Sequence, residues 1–96
     1  MPVEKLLRIG NKYGLHARPA MMFADLANKF RSDIRLTRGP LTVDGKSIMH
    51  MAMLAAAAGT KLKIKAEGND AKAATDALKE LVEDRMFDEP AWLPKE

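Results

Sequence analysis

Along this chain the spacing of apolar residues switches repeatedly between two and three-to-four, and that switching constrains the fold more than any other feature. Val3, Leu7 and Ile9 fall at odd positions and predict a first strand ending near Gly10. From about Ala17 to Lys29 the spacing is helical, with Ala20, Phe23, Ala24 and Ala27 on one face. Ile34 and Leu36 then alternate with Arg35 and Thr37, Gly39-Pro40 marks a turn, and Leu41-Thr42-Val43 reads as a short third strand. After Asp44-Gly45, Ser47 is placed to cap a short helix that ends before Gly59, the alanine tract Ala55–Ala58 forming its end. Lys61–Ala66 reads as a fourth strand with Leu62 and Ile64 inward and the lysines outward. Gly68-Asn69-Asp70 starts a last helix whose Ala74, Ala77, Leu78, Leu81 and Val82 form one apolar stripe. The predicted order is βαββαβα, an α+β unit, and a ferredoxin-like split begins the same way.

At 96 residues the chain is one domain with a single modest core. We place that domain at residues 1–86 and a tail at 87–96, because Pro90 and Pro94 cannot extend a helix. Trp92 lies in the tail, and pattern alone fits either packing onto the domain or free extension. The absence of cysteine excludes a disulfide framework and any cysteine-built metal or redox site. No apolar run approaches the ~18–20 residues of a membrane span, and Met1–Gly10 is not a signal peptide, so a cytoplasmic protein without membrane insertion is expected. The formal charge of +3 permits weak attraction to anions. Its basic residues are scattered, and Lys61, Lys63 and Lys65 alternate as on the wet face of a strand, so no nucleic-acid partner is expected. His16 and His50 lack the neighbours of a metal site, neither nucleotide-loop fingerprint occurs, and no cofactor is expected.

Chemistry concentrates in Gly14-Leu15-His16-Ala17-Arg18-Pro19-Ala20. Proline is tolerated in the first turn of a helix, where amides have no intrahelical partner, so Pro19 puts the helix start beside His16. Gly14 supplies a tight bend just before it. A helix N-terminus is an anion site, and an imidazole is mostly neutral at pH 7 and nucleophilic. A phosphoryl group taken up on the ring would meet the amides and the Arg18 guanidinium. A histidine at a helix start also serves as an ordinary tolerated cap, and these residues alone leave both readings open.

The second constellation is Asp44-Gly45-Lys46-Ser47-Ile48-Met49. A serine N-cap is worth about 1 kcal/mol and needs no further role. Ile48, Met49, Met51 and Met53 cluster on the short helix, and Met21 and Met22 lie on the first one. Methionine-rich surfaces re-pack readily and suit docking, while methionines at helical spacing also fill cores.

At these two segments the chain resembles the HPr family, the histidine phosphocarriers of the phosphoenolpyruvate-dependent phosphotransferase system. Asn11-Lys12-Tyr13-Gly14-Leu15-His16-Ala17-Arg18-Pro19-Ala20 is similar to its active-site signature almost throughout, and Lys46-Ser47-Ile48-Met49 to its regulatory-serine signature. The resemblance covers roughly Val3 to Arg85. It implies an open-faced β-sandwich, a four-stranded antiparallel sheet covered on one side by three helices. It implies that His16 accepts a phosphoryl group, as a pros-phosphohistidine, from an enzyme I-type phosphotransferase and passes it to EIIA-type acceptor proteins, as in sugar transport and its regulation. Arg18 would stabilise the phosphate, with Ala17 and Pro19 forming the helix N-terminus at the site. Ser47 would be the target of a serine kinase and phosphatase, and Ile48, Met49, Met51 and Met22 would dock partners. The chain would then be a monomeric, stoichiometric carrier and not an enzyme. The alternative is a regulatory interaction module gated by Ser47 phosphorylation. Departures are His50, where the family usually has glycine, and Ala52, where methionine is common. The run Met51–Ala58 looks more like the nitrogen-related branch than the sugar branch, and the tail has no counterpart.

Overall fold

In the computed structural model, which describes residues 2–11, 14–54 and 59–88, the alternating stretches form one antiparallel sheet. Its strands are β1 (Val3–Arg8), β2 (Asp33–Arg38), β3 (Leu41–Asp44) and β4 (Lys61–Glu67), in the order β1-β4-β2-β3. Register is fixed by the apolar positions: Leu7 opposes Leu62, and Leu36 opposes both Ile64 and Val43. With a period of two, these residues face the core while Lys61, Lys63 and Lys65 lie exposed on the other face.

The helical stretches form α1 (Ala17–Ala27), α2 (Ile48–Leu54) and α3 (Ala71–Lys79), which cover one side of the sheet. Phe23 and Ala27 of α1, Met51 and Leu54 of α2, and Ala74 and Leu78 of α3 pack with Leu7, Ile34, Leu36 and Ile64. Burying each large apolar side chain contributes about 1.5–3 kcal/mol, which makes this seam the main source of stability. Among the described residues the fold is therefore the open-faced β-sandwich of four strands and three α-helices.

Two acidic residues tie α3 to the sheet. Asp70, at the N-cap of α3, makes no capping bond to its own helix. Its carboxylate accepts from the Ser32 hydroxyl, the Arg31 amide (2.8 Å) and the Ser32 amide (2.9 Å) at the start of β2. Those bonds, the Ser32 hydroxyl first, hold its pKa below the ordinary carboxylate value. Asp76 pairs with Lys5 of β1 and Lys72 of its own helix, and the two ammonium groups, Lys5 first, lower its pKa to about 2.

The C-terminal end differs from the sequence expectation. The α-helix stops at Lys79, and Glu80–Asp84 continue as a π-helical turn that keeps Leu81 and Val82 buried. The wider turn leaves Glu83 facing β1, where its carboxylate accepts the Arg8 amide at 2.9 Å and covers that edge strand. A short 3-10 turn follows, Met86–Asp88. Phe87, which the sequence reading assigned to the tail, is fully buried in the core. The helix-end reading of Ala55–Ala58 and the tail residues Pro90, Trp92 and Pro94 lie outside the described residues. No described helix is long and apolar enough to cross a membrane.

Candidate functional site

The loop from β1 to α1 is anchored at both ends. Ile9 is fully buried, and it donates to the Thr60 carbonyl (2.9 Å) and accepts from the Gly59 amide (2.7 Å). Asn11, also buried, folds the loop on itself: its carbonyl accepts the Gly14 amide (3.2 Å) and its Nδ2 donates to the Gly14 carbonyl (2.7 Å). Gly14 has φ +69°, a left-handed conformation that explains a glycine here. Leu15 then enters the core, and after the exposed segment Pro19 is buried and Ala20 enters the core. The exposed segment His16-Ala17-Arg18 is thus held between two buried anchors.

His16 is the N-cap of α1, with extended backbone (φ −84°, ψ −170°) and its carbonyl accepting the Ala20 amide at 3.0 Å. Its imidazole makes no capping bond to the helix. Pro19 is the third helical residue, where a missing N–H costs no intrahelical bond. The amides of Ala17 and Arg18 precede the first intrahelical bond, so they and the positive end of the helix directly follow the residue that carries the imidazole. A tetrahedral anion carried on that ring would meet donors already in place. The four residues of the active-site expectation, His16, Ala17, Arg18 and Pro19, occupy one turn.

Arg18 reaches a partner the sequence did not signal. Its Nη1 donates to the Phe87 carbonyl at 3.1 Å. Phe87 lies off the 3.6-residue stripe of α3 because the π-helical turn adds a residue to the spacing, so periodicity could not assign it to the core. Its size and apolarity, ahead of Pro90, were the only available signal.

Ser47 caps α2: its hydroxyl accepts the His50 amide (3.2 Å) and its carbonyl accepts the Met51 amide (2.9 Å). The turn before it is bolted to the end of α1. Lys46 donates from Nζ to the Phe30 carbonyl (2.7 Å), and Asn28 donates from Nδ2 to the Lys46 carbonyl (2.9 Å). Gly45 has no room for a side chain, since a Cβ would lie 2.9 Å from Ile34 Cγ2 and 3.2 Å from Phe23 Cε1. Because α1 and α2 pack on each other, the His16 and Ser47 segments sit on adjacent elements.

The expected docking residues divide. Ile48 is 46% exposed and Met49 78% exposed. Met51 is fully buried, which corrects its placement on a docking surface: it faces the sheet and fills core. Met22 is half-buried and lines a groove of about 230 Å³ with Asp25, Leu26, Lys29, Leu81 and Arg85. Met21 and Met53, outside the expected set, are exposed. Helical spacing carried the signal, since Met49 and Met53 are four apart on one face and Met51 points the other way. Among the described residues no group of three or more His, Cys, Asp or Glu could hold a metal ion.

Residues 3–84 match the family described as PTS HPr component phosphorylation site. The chain belongs to the HPr family. It is similar to the phosphocarrier protein HPr of Pseudomonas aeruginosa, 46% identical over 90 residues that span 93% of this chain and 98% of that one. Among solved structures it is similar to an HPr of Thermoanaerobacter tengcongensis, with TM-score 0.86 and 40% identity over 91% of this chain and 97% of that one. A structure titled as an HPr dimer from the same organism matches with TM-score 0.70 and 41% identity, over 83% of this chain and 92% of that one. HPr membership brings the coarse role of a phosphocarrier component of the phosphotransferase system.

Proposed function

We propose that the chain accepts a phosphoryl group on the pros nitrogen (Nδ1) of His16 from a phosphorylated enzyme I-type protein and relays it to EIIA-type acceptors. The unprotonated ring nitrogen attacks phosphorus, the N–P bond forms, and the donor's bond to phosphorus breaks with its electron pair leaving on the donor. Ala17 and Arg18 amides and the Arg18 guanidinium take up the phosphoryl oxygens. The observation that carries this reading is that exposed His16 occupies the N-cap of α1, directly before the first-turn residues Ala17 and Arg18. The chain turns over as a stoichiometric carrier, a monomer of the cytoplasm that needs no cofactor, and Ile48 and Met49 with Met22 form its docking surface. Ser47 takes a regulatory phosphate from a serine kinase, removed by a phosphatase.

Incubation with labelled phosphoenolpyruvate and either the sugar-type or the nitrogen-type first enzyme tests the reading. Rapid acid-labile labelling by one of them is the expected result, and its identity assigns the branch. No labelling by either would overturn it. A regulatory module gated by Ser47 is favoured by one observation: the Ser47 hydroxyl caps α2 directly before exposed Ile48 and Met49. Acid-stable, alkali-labile phosphate as the dominant species would favour that module.

A further inference from the structure

The last described turn, Met86–Asp88, carries backbone strain that the carrier reading does not use. Phe87 (φ 54°, ψ 27°) and Asp88 (φ 59°) are both left-handed, and neither is glycine. For a bulky residue this conformation is a genuine outlier, because its Cβ crowds the neighbouring carbonyl oxygen. Such strain persists only where the surroundings over-determine it, and it clusters at functional sites.

Here the surroundings are specific. The Phe87 side chain is fully buried, so its position is set by the core. The Asp88 amide donates to the Arg85 carbonyl at 2.8 Å. Arg85 Nη2 and the Asp88 carboxylate pair at 2.9 Å, closing the turn from outside. The Arg85 amide donates to the Glu80 carbonyl at 2.9 Å, which fastens the turn to the π-helical segment. The left-handed bend takes the Phe87 carbonyl out of the helical direction and presents it to Nη1 of Arg18, two residues from His16.

A guanidinium is a rigid planar fork, so a carbonyl that accepts from one nitrogen also sets the plane in which its other N–H groups point. An arginine held in this way loses less rotamer freedom when it meets a phosphoryl group than one that must be ordered at that moment. We propose that the Phe87–Asp88 turn, locked by the Arg85–Asp88 ion pair, is a positioning element that aims Arg18 for phosphoryl transfer at His16. Arg85 and Asp88 act through Arg18 and touch no phosphate themselves. The proposal rests on His16 being the acceptor.

Arg85 and Asp88 are about half exposed, so they can be changed without opening the core. Asp88→Asn keeps a residue that tolerates left-handed backbone and removes the charge, and Arg85→Ala removes the other half of the pair. Transfer rates from a phosphorylated enzyme I-type protein are measured for each, alone and combined with Arg18→Ala, and order at the Arg18 Nε is followed by nitrogen-15 relaxation in the unphosphorylated chain. Each single change is expected to loosen Arg18 and slow transfer about fivefold, well short of the ~100-fold that a misplacement of 1 Å costs. In the Arg18→Ala background neither change should slow it further. Equal slowing with and without Arg18, or an Arg18 equally ordered in every variant, overturns the positioning role while His16 still takes label. If the unaltered chain takes no label, the acceptor reading itself has failed, and the positioning role in transfer falls with it.

Discussion

Met49 and Met51 stand two residues apart on α2 and meet opposite surroundings, 78% exposed against fully buried. Met49→Glu is therefore expected to shift the melting temperature little while weakening binding to the first enzyme, because a charge must be desolvated in an apolar contact. Met51→Glu puts an unpaired carboxylate against Leu54 and the sheet, and should cost about 3 kcal/mol or more in chemical denaturation. Equal loss of stability in both would make Met49 core as well. At Gly45 the constraint is room: Gly45→Ala forces Ile34 and Phe23 apart and should cost about 1–3 kcal/mol, with transfer per folded molecule retained. Single residues of strong character were legible in the sequence. Pro19 marked the start of α1 and Ser47 the start of α2, because a missing N–H and a capping hydroxyl each act within one turn. The Gly45 constraint was not, since it comes from side chains that are distant in sequence.

Elements were legible where one periodicity governs them. The alternation of Lys61–Ala66 gave β4, and the i, i+3, i+4 spacing from Ala20 gave α1. The end of α3 was not, because the π-helical turn at Glu80–Asp84 keeps Leu81 and Val82 buried while shifting everything after them. On α2 the cap has a direct test. Aspartate caps about as well as serine, and negative charge suits a helix N-terminus, so Ser47→Asp should leave thermal stability unchanged or raise it by up to about 1 kcal/mol. The same change sets a charge beside exposed Ile48 and Met49 and should slow phosphorylation of His16, more at low salt, where screening is weak. A variant that relays at the unaltered rate at low salt would leave Ser47 a plain N-cap. The enzymatically phosphorylated protein, with about −1.5 to −2 charges at that position, should show the larger effect.

At the scale of the whole molecule, α3 is tied to the sheet through carboxylates whose folded pKa values are depressed. Asp76 falls from an ordinary 3.8 to about 2 beside Lys5 and Lys72, and Asp70 falls in the same direction at Ser32 and Arg31. A carboxylate with a lowered folded pKa contributes stability that is present above its unfolded value and lost as pH falls through the folded one. Stability measured by denaturant should therefore drop between about pH 4 and pH 2, and Asp76→Asn should flatten that slope; an unchanged slope would remove Asp76 from the account. The overall architecture was legible because the order of elements and two separated motifs agreed. The contact between Arg18 in the first turn of α1 and Phe87 near the end of the described residues was not, because nothing local encodes a hydrogen bond between residues 69 positions apart. That contact joins the core to the His16 turn. The most direct measurement takes the chain phosphorylated from phosphoenolpyruvate and reads the phosphorus–nitrogen coupling in His16 by NMR, alongside label uptake by His16→Ala. The expected result is one acid-labile phosphoryl group per molecule on Nδ1 of His16, and none in His16→Ala at an unchanged melting temperature. Undiminished acid-labile labelling of folded His16→Ala would contradict it.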